Sequence, residues 1–329
     1  MWGVKKGNTE MSKNKAAFGD LDSALDQQDG GDDQFQLSGL GDQRQAEAGR
    51  AFSDNFNSFN TWNGHHGLDT VGGPQWSDFG HVSPDGTKPW NYEQGFYVNA
   101  DSSLAKLVDP FSVDHGVLTI TAAPVTNPNV LSQISLDYKD NHFPAPYTTG
   151  MINTDHSFSQ TYGYFEMKAE LPSAKGFLPA FWLLPTDGSH AEIDIMEVLG
   201  SDPTKLYTTA HSFAGGTETD PGTSTVVADT SKGFHTYGVD WEKNTITWYF
   251  DGHKVFQTAT PSDLNKPMYM IANLAVGGGW PGDADGVTTA SMKIEYIRAY
   301  SAMPTGEANS NGHEVQLTGL VSTHDQPHH

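Results

Sequence analysis

The chain of 329 residues contains no cysteine. A disulfide framework and a thiolate metal site are therefore excluded. Basic residues are scarce: 18 Lys and Arg stand against 40 Asp and Glu, for a formal net charge of −22. Such a balance argues against nucleic acid or an anionic membrane as a partner. No apolar run approaches the ~20 residues of a membrane span, so membrane insertion is not expected. Met1-Trp2-Gly3-Val4 gives way to Lys5-Lys6 and polar residues without an apolar core, so these residues are not expected to act as a conventional secretory leader. Beyond Phe52 there is no long amphipathic helical pattern.

What is present falls into three parts. Residues 1–50 read as a disordered or extended acidic tail, because a stretch such as Asp26-Gln27-Gln28-Asp29-Gly30-Gly31-Asp32-Asp33 cannot offset the entropy of its own ordering. A weak helical pattern joins Phe18, Leu21 and Leu25. Residues 51–301 are rich in aromatic and β-branched residues with Gly, Pro and Asn-Gly punctuation. Strands are expected at 116–121, 164–169 and 293–300, and a hairpin turns at Asp251-Gly252 between 245–250 and 253–256. Many short strands predict an all-β sandwich. Residues 302–329 read as a C-terminal tail, with a short strand pattern at Glu314-Val315-Gln316-Leu317. His324, His328 and His329 are read as tail residues, not metal ligands, and His65-His66 as ordinary loop residues.

The chemistry concentrates in Ala191-Glu192-Ile193-Asp194-Ile195-Met196-Glu197-Val198-Leu199-Gly200. Alternation places Glu192 and Asp194 on one strand face and Ile193 and Ile195 on the other. Glu197 would then point the wrong way. One extra residue, a β-bulge at Ile195-Met196, returns it to the Glu192 face. Glycosidic bond hydrolysis needs two carboxyl groups with opposite roles, held about 5–5.5 Å apart in retaining enzymes. The two Glu backbones would lie roughly 13 Å apart at about 3.3 Å per residue, so their side chains must lean together over Asp194. Crowding three acids raises at least one pKa, which suits a group that must stay protonated.

Glu-Ile-Asp-Ile-Met-Glu resembles the active-site signature of family 16 glycoside hydrolases, in the bulged form of laminarinase-type enzymes. Tyr162-Gly163-Tyr164-Phe165-Glu166, Leu178-Pro179-Ala180-Phe181-Trp182-Leu183-Leu184-Pro185 and Asn273-Leu274-Ala275-Val276-Gly277-Gly278-Gly279-Trp280-Pro281-Gly282 occur in the family order. The resemblance covers roughly residues 52–300. It implies a jelly roll with a concave substrate cleft, and a retaining endo-β-glycanase acting on a β-1,3- or β-1,3-1,4-linked glucan or bacterial exopolysaccharide. By position, Glu192 resembles the nucleophile, Glu197 the general acid/base and Asp194 the helper that tunes the nucleophile. A non-catalytic carbohydrate-binding jelly roll and a transglycosylase of the same family are the alternatives.

Sugar faces stack on aromatics and sugar hydroxyls take hydrogen bonds from charged groups. Trp182 and Trp280 are the stacking candidates. Glu166 and Lys168 share a strand face, and the resemblance implies that they bind sugar hydroxyls. Asn273, His190 and His211 complete the expected substrate-binding set, and His211 is also expected to support the acids by hydrogen bonding from behind them. Two departures stand out. Leu178 occupies a position where many laminarinases carry Trp, and the segments 197–203 and 208–212 look more like the family's bacterial exopolysaccharide glycanases, of succinoglycan type. The resemblance implies no cofactor for catalysis. It does imply a structural Ca²⁺ near Gly116 and Glu295, although Glu295 stands where Asp is usual and Asn55 replaces a common Glu. A monomer acting on polysaccharide outside the cell is expected.

Overall fold

The computed structural model describes residues 49–61, 68–70, 93–137 and 147–304. The expectations for residues 1–48 and 305–329, including the Phe18-Leu21-Leu25 pattern, the 314–317 strand and the three terminal histidines, lie outside the described residues, as do His65 and His66.

In chain order the strands begin with β1 (Arg50–Asp54), β2 (Asp69–Thr70), β3 (Gly95–Tyr97), β4 (Phe111–Asp114), β5 (Val117–Pro124) and β6 (Tyr147–Thr149). They continue with β7 (Met151–Asn153), β8 (Gly163–Glu170), β9 (Phe177–Pro185), β10 (Glu192–Val198), β11 (Lys205–His211) and β12 (Gly222–Val226). The last are β13 (His235–Trp241), β14 (Thr245–Phe250), β15 (His253–Ala259), β16 (Met268–Val276) and β17 (Ala290–Tyr300). They form two sheets. The larger is ordered β15-β14-β13-β8-β17-β5-β6-β3, with β1 on β17 and β4 on β5; the smaller is ordered β12-β11-β10-β9-β16-β7-β2. This is the expected all-β sandwich of jelly-roll type.

Period-two patterning explains why the sheets face one another. In β11 Leu206, Thr208 and Ala210 are buried, while Lys205, Tyr207, Thr209 and His211 are half-exposed on the other face. In β5 Leu118, Ile120 and Ala122 face the core. One hydrophobic core joins the inner faces, with Phe165 and Trp241 from the larger sheet meeting Phe181 and Ile193 from the smaller. Fully burying a side chain of the Phe or Ile class contributes roughly 1.5–3 kcal/mol. The Asp251-Gly252 hairpin forms as expected, with both residues at positive φ (50° and 73°), as a tight two-residue turn requires.

An α-helix interrupts the domain read from sequence as all β: α1 (Pro128–Asp137). Asn127 caps it, its Oδ1 accepting from Asn129 N at 2.9 Å, and Pro128 occupies the first turn, where its missing N–H costs nothing. Val130 and Ile134, four residues apart, bury one apolar stripe against Phe96, Val98 and Leu104. Ten residues with two anchors are too few to stand out as a periodic pattern.

Candidate active site

The β-bulge is present at the expected place. On the β9 side Asp194 pairs with Trp182 and Met196 with Phe181, so Ile195 is the extra residue. On the β11 side Asp194 pairs with Thr209 and Glu197 with Tyr207. Ile195 and Met196 both enter the core, together with Ile193 and Val198. Glu192, Asp194 and Glu197 are left on the opposite face of the smaller sheet. Asp194 is buried, and Glu192 and Glu197 are half-buried.

The three acids perturb one another. Burial, then the Asp194 charge, pushes the Glu192 carboxyl well above the usual carboxylate range, against a lowering influence from His211. The same causes push Glu197 up to about 8. His211 lies directly across the ladder from Glu192. Its Nε2 is 3.1 Å from Asp194 Oδ2 and its Nδ1 is 3.3 Å from Glu218 Oε1. Burial alone would lower the His211 pKa, but Asp194, followed by Glu192 and Glu197, overrides it and holds the ring up to about 10. Asp194 Oδ2 is buried without an aligned hydrogen bond, so its approach to His211 is an attraction of charge for charge. Burial and the Asp194 charge thus hold both glutamates toward the protonated form, and the His211 cation pulls each of them back toward ionisation.

Could this group hold a metal? Single ligand atoms of Glu192, Asp194 and His211 lie within 4.8 Å of one another. However, the surrounding carboxylates hold the His211 ring up to about 10, and a doubly protonated imidazole has no lone pair to give an ion. The arrangement suits proton chemistry better than coordination.

Other expected residues share the face of the smaller sheet that carries the acids. Trp182 does so, while its neighbour Phe181 enters the core, as alternation predicts. Trp182 is only 3% exposed, packed with Tyr97, Met151 and Tyr269. Its indole N–H donates to Asn273 Oδ1 at 2.9 Å, and Asn273 Nδ2 donates to the Tyr97 hydroxyl at 3.2 Å. Tyr97 in turn donates to Glu93 Oε2 at 3.2 Å. Asn273 thus links a buried polar chain on that face of the smaller sheet. Trp280 is half-buried and meets Tyr207 edge to face at 4.8 Å. Tyr207 is the ladder partner of Glu197, and Lys205 Nζ lies 5.4 Å from its ring centroid. An aromatic pair therefore stands beside the acid that keeps its proton. Tyr207 was legible in principle, four residues before His211 on the same strand face; Glu218, Tyr97 and Glu93 carry no local signal.

Three expectations need correction. Glu166 and Lys168 do share a face, but β8 belongs to the larger sheet. Phe165 and Met167 take its core face, so Glu166 and Lys168 point away from the cleft. Glu166 is buried beneath the hydroxyls of Tyr164 (2.8 Å) and Tyr296 (2.7 Å), and Lys168 pairs with Glu295 at 2.9 Å. His190 precedes β10 in a bend, so strand alternation does not carry it onto the Glu192 face; it is exposed, with its ring 5.8 Å from Phe213. The calcium expectation does not fit the residues present. The Glu295 carboxylate faces the Lys168 ammonium, and Asn55 Oδ1 accepts from an Arg298 guanidinium nitrogen at 3.0 Å. Oxygens committed to cations do not make a cage for another cation, and a carbonyl at Gly116 alone cannot supply one.

Residues 112–298 match the model for the family described as Glycosyl hydrolases family 16. The chain is 44% identical over 259 residues to the endo-1,3-1,4-beta-glycanase ExsH of Rhizobium meliloti (strain 1021), covering 77% of this chain and 51% of that protein. A second relative from the same organism, the endo-1,3-1,4-beta-glycanase EglC, is 41% identical over 256 residues, with the same two coverages. The chain thus spans about half the length of these curated relatives. The laminarinase catalytic domain of Thermotoga maritima MSB8 superposes with a TM-score of 0.61 at 26% identity, covering 77% of this chain and 98% of that one.

Proposed function

The chain belongs to glycosyl hydrolase family 16, and from that premise we propose that it is a retaining endo-β-glycanase that cuts internal β-1,3- or β-1,3-1,4-type linkages of a glucan or bacterial exopolysaccharide. The observation that carries the reading is the bulge that brings Glu192, Asp194 and Glu197 onto one face. Glu197, whose pKa of about 8 keeps it protonated at neutral pH, gives its proton to the leaving glycosidic oxygen. Glu192 attacks the anomeric carbon and forms a covalent glycosyl-enzyme. The His211 cation favours the ionised Glu192 that this attack needs, against burial and the Asp194 charge. Glu197, now an anion, takes a proton from water, which releases the sugar with its configuration retained.

Tyr207 and Trp280 form an apolar wall beside Glu197, suited to stacking the sugar that leaves. No step needs a metal or an organic cofactor. Among the described residues no helix is long and apolar enough to cross a membrane. In this reading the enzyme meets its polymeric substrate outside the cell.

The test is reducing-end release from a panel of laminarin, lichenan, agarose, carrageenan and succinoglycan, beside Glu192→Gln and Glu197→Gln. Cleavage of one polymer that both substitutions reduce at least about 100-fold supports the assignment. Binding of a polymer without cleavage of any would contradict it and favour a lectin-like role. Lengthened products in place of shortened ones would identify a transglycosylase.

A further inference from the structure

The loop that follows β11 is built, not merely a connection. Ser212 bridges to Thr219, and Asp263 fastens the loop's start by accepting from Ser212 Oγ and Phe213 N, each at 2.7 Å. Gly216 turns the chain at φ 76°, with open space around it. The loop therefore returns Glu218 to His211, with Oε1 3.3 Å from Nδ1. The other ring nitrogen faces Asp194 at 3.1 Å.

We propose that Glu218 is a positioning residue for the reaction: together with Asp194 it brackets His211 between two carboxylates and fixes that ring as an imidazolium facing the nucleophile's helper. The inference rests on the proposed glycanase reading for its catalytic meaning, but not for its geometry. An ionised carboxylate only accepts hydrogen bonds, and a neutral imidazole keeps one bare lone pair. In either neutral tautomer, the bare nitrogen would lie 3.1 or 3.3 Å from a carboxylate oxygen, negative against negative. Only the doubly protonated ring attracts both neighbours.

The groups around the ring are mostly acidic. Glu192, Asp194 and Glu197 face it from β10, and Glu218 faces it from the loop. Tyr269 on β16 interacts with Glu192 and adds no positive charge. The cation at His211 is thus what balances the carboxylate cluster, and it lowers the proton affinity of both Glu192 and Glu197. Burial works against that cation. Glu218 supplies a second anion on the solvent side and stops the ring from rotating away from Asp194. It is 55% exposed and on a loop, so its replacement does not threaten the fold.

The experiment is ¹⁵N-edited NMR titration of the His211 imidazole in the full chain, for the wild type, Glu218→Gln and Glu218→Asp, with His211→Asn to assign the signal. The wild-type ring is expected to carry both protons at pH 7. In E218Q its titration midpoint should fall by about one unit, as expected when an opposite charge within 4–6 Å is removed, and E218D should recover part of the shift. In parallel, E218Q should lower kcat several-fold at unchanged KM on the polymer the wild type cleaves fastest. A midpoint that E218Q leaves in place, or a wild-type ring that is neutral at pH 7, overturns the proposal whatever the activity. A chain that cleaves no polymer but shows the shifted midpoint would refute the glycanase reading and leave the bracketed imidazolium standing.

Discussion

Trp248, on the larger sheet, donates its indole N–H across the core to the backbone carbonyl of Asp194 on the smaller sheet, at 2.8 Å. The bond lands where the bulge interrupts the regular ladder of β10. A buried carbonyl left without a donor costs about 1–3 kcal/mol. The two sheets are therefore coupled at the residue that re-aims Glu197.

Trp248→Phe keeps most of the ring volume but removes the N–H. It should lower the free energy of unfolding by about 1–3 kcal/mol, read as a lower urea midpoint at an unchanged m-value. Because the bulge loses its pin, kcat should fall more than KM changes.

Glu197 links stability to pH. Its carboxyl is pushed up to about 8 from an ordinary value of 4.5. Below 4.5 it is protonated in both the folded and unfolded states and its share of stability is fully present; that share is lost as pH rises through 8. Glu197→Gln cannot ionise. Its melting temperature should match the wild type near pH 4.5 and exceed it progressively up to pH 8, by the equivalent of at least about 1 kcal/mol. The wild-type rate should also fall as pH rises past about 8, where the acid loses its proton.

Lys168→Met should leave KM unchanged for any cleaved polymer, because Lys168 lies on the outer face of the larger sheet and is paired there with Glu295. Steady-state kinetics on the fastest substrate checks this. A rise in KM would return Lys168 to the substrate path.

Chelation should do nothing. With Glu295 held by Lys168 and Asn55 by Arg298, EDTA is expected to change neither the melting temperature nor the rate. A drop of several degrees on EDTA treatment, reversed by Ca²⁺, would contradict that assignment.

Several of these features were legible in the sequence because they depend on local geometry. The bulge could be read because Ile195 and Met196 break the alternation that Glu192 and Asp194 begin. The opposed faces of Phe181 and Trp182 follow from the same period. Alternation, however, assigns a face and not a sheet: it puts Glu166 and Lys168 side by side, while the sugar-binding role that the resemblance implies for them does not fit the outer face of the larger sheet. It also says nothing about what covers a face: Trp182 is shielded by Tyr97 and Tyr269, from strands far apart in sequence. Glu218 was invisible for a similar reason. Only the return of a loop fastened by Asp263 brings it to His211.

The central claim is a double displacement with Glu192 as nucleophile and Glu197 as acid/base. Proton NMR of the first reducing ends released, recorded before mutarotation on the polymer cleaved fastest, tests it most directly. The account predicts that the β-anomer appears first and the α-anomer grows in later. An α-anomer appearing first would mean single displacement with inversion, and would contradict it.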